Sequence, residues 1–301
     1  MNTWFWIALS APALWAVTNH IDGFVISRYS AGKRVASLLV FTGLVSGLAA
    51  VLISIFAKVE TIALWQELLG IFAGCLFVGG YIPYMQALKE DEVSIAAPLW
   101  QMVVPLSYIL GAIFLKEHLS GHQILATLIV IAGAVLMSMN PHGFRWKPRI
   151  FFLMLFASFL IALNTIVFKF IGLESSFWTI SFWEYLGAFV FGLGLLVITP
   201  VRTDFLTFVR EGGRTIVSLS TLSEAINVVA RLLFNYAALI APIALVYAVN
   251  GAQPFFIFLY ALIIFAFFPK IKAEDFSRRS FILKIVATII LIAGSTLLFL
   301  S

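Results

Sequence analysis

The sequence predicts an all-α integral membrane protein with ten transmembrane helices, arranged as two inverted five-helix repeats. Three observations lead to this prediction. Of the 301 residues, 62% are hydrophobic and 11% are charged, whereas soluble domains carry about 25% charged residues. The apolar residues fall into long runs of the length that crosses a bilayer, and the two halves of the chain resemble each other. We therefore expect lipid to surround the protein.

Each predicted span is an apolar run bounded by a charged gap. A hydrocarbon core about 30 Å thick is crossed by roughly 20 helical residues, and long unbroken runs favour helices over the short alternating strands of a barrel. The first run lacks the features of a signal peptide, so we expect it to be retained as a span. The ten predicted spans are residues 3–24, 34–56, 65–88, 93–115, 122–140, 150–171, 177–199, 215–239, 242–267 and 281–300.

The two halves share sequence features in the same order. The segment "VIAGAVLM" (130–137) resembles "LIAGSTLL" (291–298), near the end of each half. Two further similar segments each carry a proline at the same place, Pro105 in the fourth span and Pro254 in the ninth. These matches predict five spans in each half.

An odd number of spans fixes how the two halves relate in the membrane. Because each half has five, the second copy inserts upside down relative to the first, an arrangement common in transporters. Asn19 in the first span then corresponds to Asn164 in the sixth. We predict repeats over residues 1–142 and 143–301.

Basic residues concentrate in alternate gaps. Fifteen of the 19 Lys and Arg residues lie in the odd-numbered gaps, whereas the even-numbered gaps hold only Lys58, Lys116 and Lys169. By the positive-inside rule, the odd gaps face the cytoplasm and both termini face outward, as expected in a bacterial inner membrane. Since these charges lie in short gaps and not in an aromatic-rich basic patch, we do not expect a nucleic acid partner.

The eighth span carries a stripe of polar side chains, around the segment "LSEAINVVARLLFNYAA" (222–238). Residues three or four apart share one face of a helix. An ionised side chain at the bilayer centre costs about 2.5–3.5 kcal/mol on insertion scales, so we expect the stripe to face the interior of the bundle. The stripe comprises Ser220, Glu224, Asn227, Arg231 and Asn235.

Two interpretations of this stripe stay open. It is either a structural polar seam or the site of a substrate or proton, in which Arg231 would hold a carboxylate or phosphate through two parallel bonds. Glu184 in the seventh span is either a proton carrier or the partner of Arg231 or Lys169. We expect Lys169 itself to lie near the membrane edge with its ammonium directed to the interface. Asn19 and Asn164 are further candidates for a shared cavity.

The paired prolines predict a second group of site residues. A proline frees the carbonyl four residues before it, so Pro105 would free Gln101 and Pro254 would free Asn250. Breaks of this kind near a repeat interface mark binding sites in transporters, although a bend that only aids packing is the alternative. We predict Pro105 and Pro254 as hinges, with substrate-binding candidates beside them at Trp100, Gln101, Tyr247 and Asn250.

Little in the sequence indicates an enzyme, a metal site or a cofactor. The single cysteine, Cys75, forms no intramolecular disulfide and no zinc-binding cluster. Only His20 of the four histidines lies near the interior of a span. Gly43 and Gly47 form a small-xxx-small pattern that favours close helix contact, within one chain or between two, and the oligomeric state stays open.

The motifs of residues 80–123, "GYIPYMQALKEDEVSIAAPLWQMVVPLSYILGAIFLKEHLSGHQ", carry a family resemblance. They resemble the EamA-type proteins of the drug/metabolite transporter superfamily, with the family's small-residue run, mid-span Pro105 and glutamate turn at Lys116–Glu117. The second half is similar, but it has "FPKIKAED" in place of that turn. The resemblance implies ten helices around a central cavity and alternating access. It also implies cytoplasmic termini for most members, against the charge distribution.

These features predict a secondary transporter for a small polar metabolite. The mixed charges of Arg231, Glu184 and Glu224 favour a zwitterion such as an amino acid, and buried carboxylates favour proton coupling or exchange. The sequence has no phosphate-binding glycine loop, so nothing in it supports ATP as the energy source. The alternatives are an intramembrane enzyme and a non-transporting receptor or scaffold, which would have a packed interior without a cavity.

Overall fold

All regular secondary structure in the part of the chain that the structure describes is helical, which confirms the all-α prediction. The computed structural model describes residues 3–29, 35–90, 99–138, 147–267 and 278–300. The helices in these ranges are α1 (Thr3–Tyr29), α2 (Val35–Phe56), α3 (Leu64–Glu90), α4 (Val103–Leu110, continued by a π-helical turn at Gly111–Leu115), α5 (Gly121–Ser138), α6 (Pro148–Gly172), α7 (Phe177–Leu195), α8 (Thr199–Ile240), α9 (Ile243–Asn250), α10 (Gln253–Phe267) and α11 (Arg278–Leu300).

Six helical segments within the described ranges are long and apolar enough to cross a bilayer. Every predicted span overlaps a described helix, but the count of ten and the inverted repeat stay predictions. The predicted boundary between residues 142 and 143 lies outside the described residues. The six segments are Ser37–Phe56, Leu64–Ala87, Pro148–Gly172, Thr199–Ile240, Ile243–Ile264 and Ile282–Leu300.

The segment before the eighth predicted span is a helix, although the sequence analysis placed it in a gap. Helix α8 begins at Thr199 and bends at Gly213, whose φ of 60° is a conformation that favours glycine. Phe208 is buried, and its ring lies 5.8 Å from that of Phe41 on α2. Residues 199–212 therefore form an amphipathic helix, since their apolar face packs while their charges stay outside.

The strongest helix contacts join the first half of the chain to the second. Helix α1 packs on α8, α2 on α7 and α8, α3 on α6 and α7, and α5 on α11. Helix α4 packs on α6 and α9, while α1 also contacts α9 and α10. The core is thus shared between the halves.

Glycines allow the backbones of α2 and α3 to contact the backbone of α7 directly. Gly43 on α2 lies against Gly192 on α7, where a Cβ atom added to either would lie 2.6 Å from the other's Cα. A Cβ at Gly74 on α3 would overlap the carbonyl oxygen of Glu184, and one at Gly187 on α7 would overlap that of Ile71. The small-residue pattern at Gly43 therefore serves packing within the chain.

Helix breaks precede both predicted hinge prolines. A turn at residues 101–102 interrupts the helix just before Pro105, and a turn at residues 251–252 interrupts it just before Pro254. A Cβ at Gly251 would lie 3.2 Å from Oε1 of Gln101, so the two breaks lie against each other. The predicted free carbonyl at Gln101 is wrong, because the turn lets it accept the N–H of Val104 at 3.1 Å.

Candidate functional site

An ion pair between Arg231 on α8 and Glu184 on α7 forms the centre of the polar cluster. Arg231 Nη2 lies 2.6 Å from Glu184 Oε1, and Arg231 Nε donates to Oε2 at 3.4 Å. Both residues are buried, with exposed fractions of 6% and 1%. Of the roles left open for Glu184, the structure therefore shows the ion pair with Arg231 and not with Lys169.

Two amides and an aromatic ring complete this pair. Asn164 accepts from Arg231 Nη2 at 3.1 Å and donates to Glu184 Oε1 at 2.8 Å, while Asn235 donates to Oε2 at 2.7 Å. The ring of Phe77 on α3 lies 3.1 Å from the guanidinium carbon of Arg231. Since buried charges are stable only when paired and hydrogen-bonded, this arrangement holds both ionised groups inside the membrane.

Glu224 lies two turns before Arg231 on α8 and has only neutral hydrogen-bond partners. Thr42 Oγ1 on α2 donates to its Oε1 at 2.6 Å, and Asn227 Nδ2 donates to its Oε2 at 2.9 Å. Trp15 Nε1 on α1 donates in turn to Asn227 Oδ1 at 2.7 Å. Glu224 as a residue is half-buried, and these hydrogen bonds hold its carboxylate in place.

A small cavity lies between Glu224 and Arg231. Its volume is about 10 Å³, which holds a single water molecule at most. The interior at the site is therefore nearly packed in this conformation, as predicted for the alternative of a receptor or scaffold. Any molecule larger than water could enter the site only if the helices separated. The cavity is lined by Thr42, Ser46, Phe77, Tyr185, Glu224, Asn227, Val228 and Arg231.

A second ion pair closes one end of the cluster. Lys169 Nζ on α6 lies 2.6 Å from Oε1 of Glu117, which follows α4, and also donates to the carbonyl of Ala241 at 2.7 Å. The N–H of Ile243 donates to Glu117 Oε2 at 2.9 Å. Lys169 lies in the last turn of α6 and is buried, so its ammonium is not directed to the interface as predicted, because Glu117 supplies the counter-charge inside the fold.

Tyr247 connects this end to the centre. Its hydroxyl lies 2.6 Å from Thr165 Oγ1 and donates to the carbonyl of Ile161 at 3.1 Å. Its ring packs on Phe234 with centroids 4.9 Å apart. Thr165 is one turn before Lys169 on α6, so Tyr247 lies between the two ion pairs.

The remaining predicted site residues lie apart from Arg231. Trp100 stacks on Tyr81 with centroids 6.1 Å apart, and Gln101 is buried at its helix break. Asn250 is half-buried, and its side-chain oxygen has no hydrogen-bond partner among the described residues. Asn19 is exposed whereas Asn164 is buried, so the two side chains have different environments, and their correspondence in the repeats stays a prediction.

Several contributors were missed by the sequence analysis. Thr42 and Phe77 contact the charged groups from the first half of the chain, and Glu117 was noted only as part of a turn motif. A hydroxyl inside the apolar run "LLVFTGLVSG" was a usable signal for Thr42. Phe77 is one of 30 phenylalanines, and nothing in its local sequence distinguishes it from a packing residue.

Elsewhere in the described residues, a larger cavity of about 250 Å³ lies between α1, α10 and α11. It is apolar, with Phe255 and Phe256 beside the break in the ninth span. Within the same residues, no three His, Cys, Asp or Glu side chains stand close enough to hold a metal ion.

Comparisons with known proteins identify a shared fold and a family match over part of the chain. A crystal structure of another protein matches 99% of this chain and 96% of its own, with a TM-score of 0.69 and 16% sequence identity, which shows a shared fold. No curated protein matches the sequence. Residues 2–139 match the model of the EamA-like transporter family, which belongs to the drug/metabolite transporter superfamily. This match covers slightly less than half of the chain, and together with the long apolar helices it supports an integral, multi-pass membrane protein.

Proposed function

We propose that the protein is a secondary transporter that moves a small polar metabolite, such as an amino acid, across the membrane by alternating access. The observation that carries this proposal is the buried ion pair of Arg231 and Glu184, with Glu224 two turns away, inside apolar helices of a chain whose residues 2–139 match a transporter family. Ionisable groups within a membrane are costly and mark substrate or ion pathways.

Ten spans in two inverted repeats would supply the moving parts. The helix contacts come in matched pairs on exchanging the halves: α1 with α8 corresponds to α6 with α3, and α3 with α7 corresponds to α8 with α2. Such matching is expected when two similar units pack through a two-fold axis.

The site residues divide by position. Glu224, Asn227 and Arg231 line the cavity. Glu184, Asn164 and Asn235 form the polar cluster behind Arg231, with Tyr247 beyond them. At the contacting helix breaks, Pro105 and Pro254 act as hinges, so movement there would expose Trp100, Gln101 and Asn250.

Proton coupling or exchange would drive transport. The Glu224 carboxylate has hydrogen-bond donors but no cation among the described residues, so a proton or a charged substrate can alternate there. Following the charge distribution of the gaps, we place the protein in a bacterial inner membrane with both termini outside.

Uptake into proteoliposomes tests this function. Purified protein would be reconstituted and supplied with radiolabelled amino acids, amines, carboxylates and sugars, with and without an ionophore that removes the proton gradient. We expect saturable uptake or exchange of at least one class above protein-free vesicles. If no class moves faster than in empty vesicles, with correctly inserted protein, transport of a small polar metabolite is contradicted.

A further inference from the structure

The charge balance around the central cavity points to an organic cation as the substrate class, with Glu224 as the residue that binds its ammonium group. This inference rests on the proposed transport function and assigns the substrate chemistry of that site. The cavity lining contains two ionisable side chains of opposite type, Glu224 and Arg231, in the described part of the chain. They differ in whether their charge is already compensated.

Arg231 is unsuited to bind a substrate carboxylate. Its fork is already engaged by Glu184 through two bonds of 2.6 and 3.4 Å, and Asn164 takes a further bond from Nη2. Phe77 covers the guanidinium at 3.1 Å. To bind an anion there, the protein would have to leave the carboxylate of Glu184 buried without its counter-ion, which is strongly unfavourable.

Glu224 has the opposite character. Neither ion pair of the described residues includes it, and its two hydrogen-bond partners, Thr42 and Asn227, are neutral. Asp22 on α1 accepts a bond from Ser223, the residue next to Glu224, at 2.7 Å, and lies outside the cavity lining. The pair of Arg231 and Glu184 sums to no net charge, so an ionised Glu224 has no counter-charge in the cavity lining.

The walls of the cavity also suit a cation. Tyr185 is among its lining residues, and an aromatic face attracts ammonium groups, most strongly away from water, whereas one face of Phe77 is already covered by Arg231. The hydroxyl of Tyr185 is engaged by the carbonyl of Val228 at 3.0 Å. An ammonium group can therefore meet the carboxylate of Glu224 beside an aromatic ring once the helices separate.

Binding of three small compounds of similar shape tests this assignment. Tetramethylammonium, tert-butanol and pivalate carry positive, zero and negative charge, and ethylammonium adds a primary amine. Calorimetric titration of the protein in nanodiscs should give an affinity for the cations roughly tenfold or more above that for tert-butanol or pivalate. If neither cation binds, or if pivalate binds at least as well, the assignment is overturned.

Variants locate the cation. Glu224→Gln keeps the shape, and its amide can donate to Thr42 and accept from Asn227, so it should remove the cation preference without unfolding the protein. Glu224→Asp keeps the charge and should keep the preference, and Glu60→Gln, at an exposed position between α2 and α3, should match the unchanged protein. If Glu224→Gln retains the preference, Glu224 is not the binding group.

Parallel uptake experiments separate the two proposals. Uptake of neutral or anionic compounds alone would overturn the cation assignment while leaving transport intact. Cation binding that depends on Glu224, without uptake of any compound, would contradict the transport function and support the ligand class.

Discussion

Arg231 Nη2 and Glu184 Oε1 lie 2.6 Å apart, with one residue on α8 and the other on α7. Asn164 bonds to both members of the pair from α6, and helix α3 approaches through Ala73, whose carbonyl accepts from Asn164 Nδ2 at 2.8 Å. The pair therefore joins the polar groups of four helices. Its arrangement makes the two charges dependent on each other.

Removing one charge of this pair should destabilise the protein more than removing both. Arg231→Met leaves the Glu184 carboxylate buried without a counter-ion, which costs about 3–5 kcal/mol. The double variant Arg231→Met, Glu184→Gln has no buried charge at this point and should recover part of that loss. Thermal unfolding in detergent measures both. If the losses of stability from Arg231→Met and from Glu184→Gln, each measured alone, add up to the loss of the double variant, the two charges are not coupled.

The ion pair of Glu117 and Lys169 should hold one end of the site closed. It lies one turn beyond Thr165, and it joins the end of α4 to the turn between α8 and α9. The probe is a cysteine at position 165 (Thr165→Cys) in a protein whose native cysteine is removed by Cys75→Ala. Adding Glu117→Gln should raise its rate of reaction with a water-soluble maleimide roughly tenfold, which corresponds to a loss of about 1.4 kcal/mol in the stability of the closed end.

The matched control for this experiment is Glu174→Cys, at an exposed position after α6. Its labelling rate should be the same with and without Glu117→Gln. If the cysteine at position 165 stays equally protected after the ion pair is removed, the pair does not close this end.

The glycine contacts between α3 and α7 should tolerate no added methyl group. Gly187→Ala places a Cβ atom on the carbonyl oxygen of Ile71, and overpacking of this kind costs about 1–3 kcal/mol or more. Gly194→Ala on the same helix meets nothing within 4 Å and should be neutral or stabilising by up to about 1 kcal/mol. Unfolding temperatures measure the difference, and equal values for the two variants would contradict the close contact.

The charge distribution of the gaps should determine orientation. With both termini outside, a reporter that is active only in the cytoplasm should be inactive when fused after Ser301, and one that needs the outer compartment should be active. A fusion within the basic gap between the first two spans should give the reverse result. Cytoplasmic activity at Ser301 would reject this orientation and favour the topology that the family resemblance implies.

The inward-facing stripe of α8 was predictable because its polar residues repeat at helical spacing within an apolar run. The bond from Arg231 to Glu184 was one of several open pairings, since sequence spacing relates residues on one helix and not on two. The partner of Lys169 was not predictable for the same reason: Glu117 is 52 positions away. The charges of residues 199–212 predict a gap, because the apolar side chains among them are too few to form a membrane span. Their apolar face becomes evident only from its packing in the folded structure.

The backbone contacts of Gly74 with Glu184 and of Gly187 with Ile71 restrict how the protein can change shape. No side chain separates α3 from α7 at these points, so sliding one helix along the other would drive carbonyl groups together. These contacts hold α3 and α7, which belong to opposite halves, in a fixed position beside the charged pair. We expect the halves to rock about this line, so that displacement is smallest at Glu184 and grows toward the membrane surfaces.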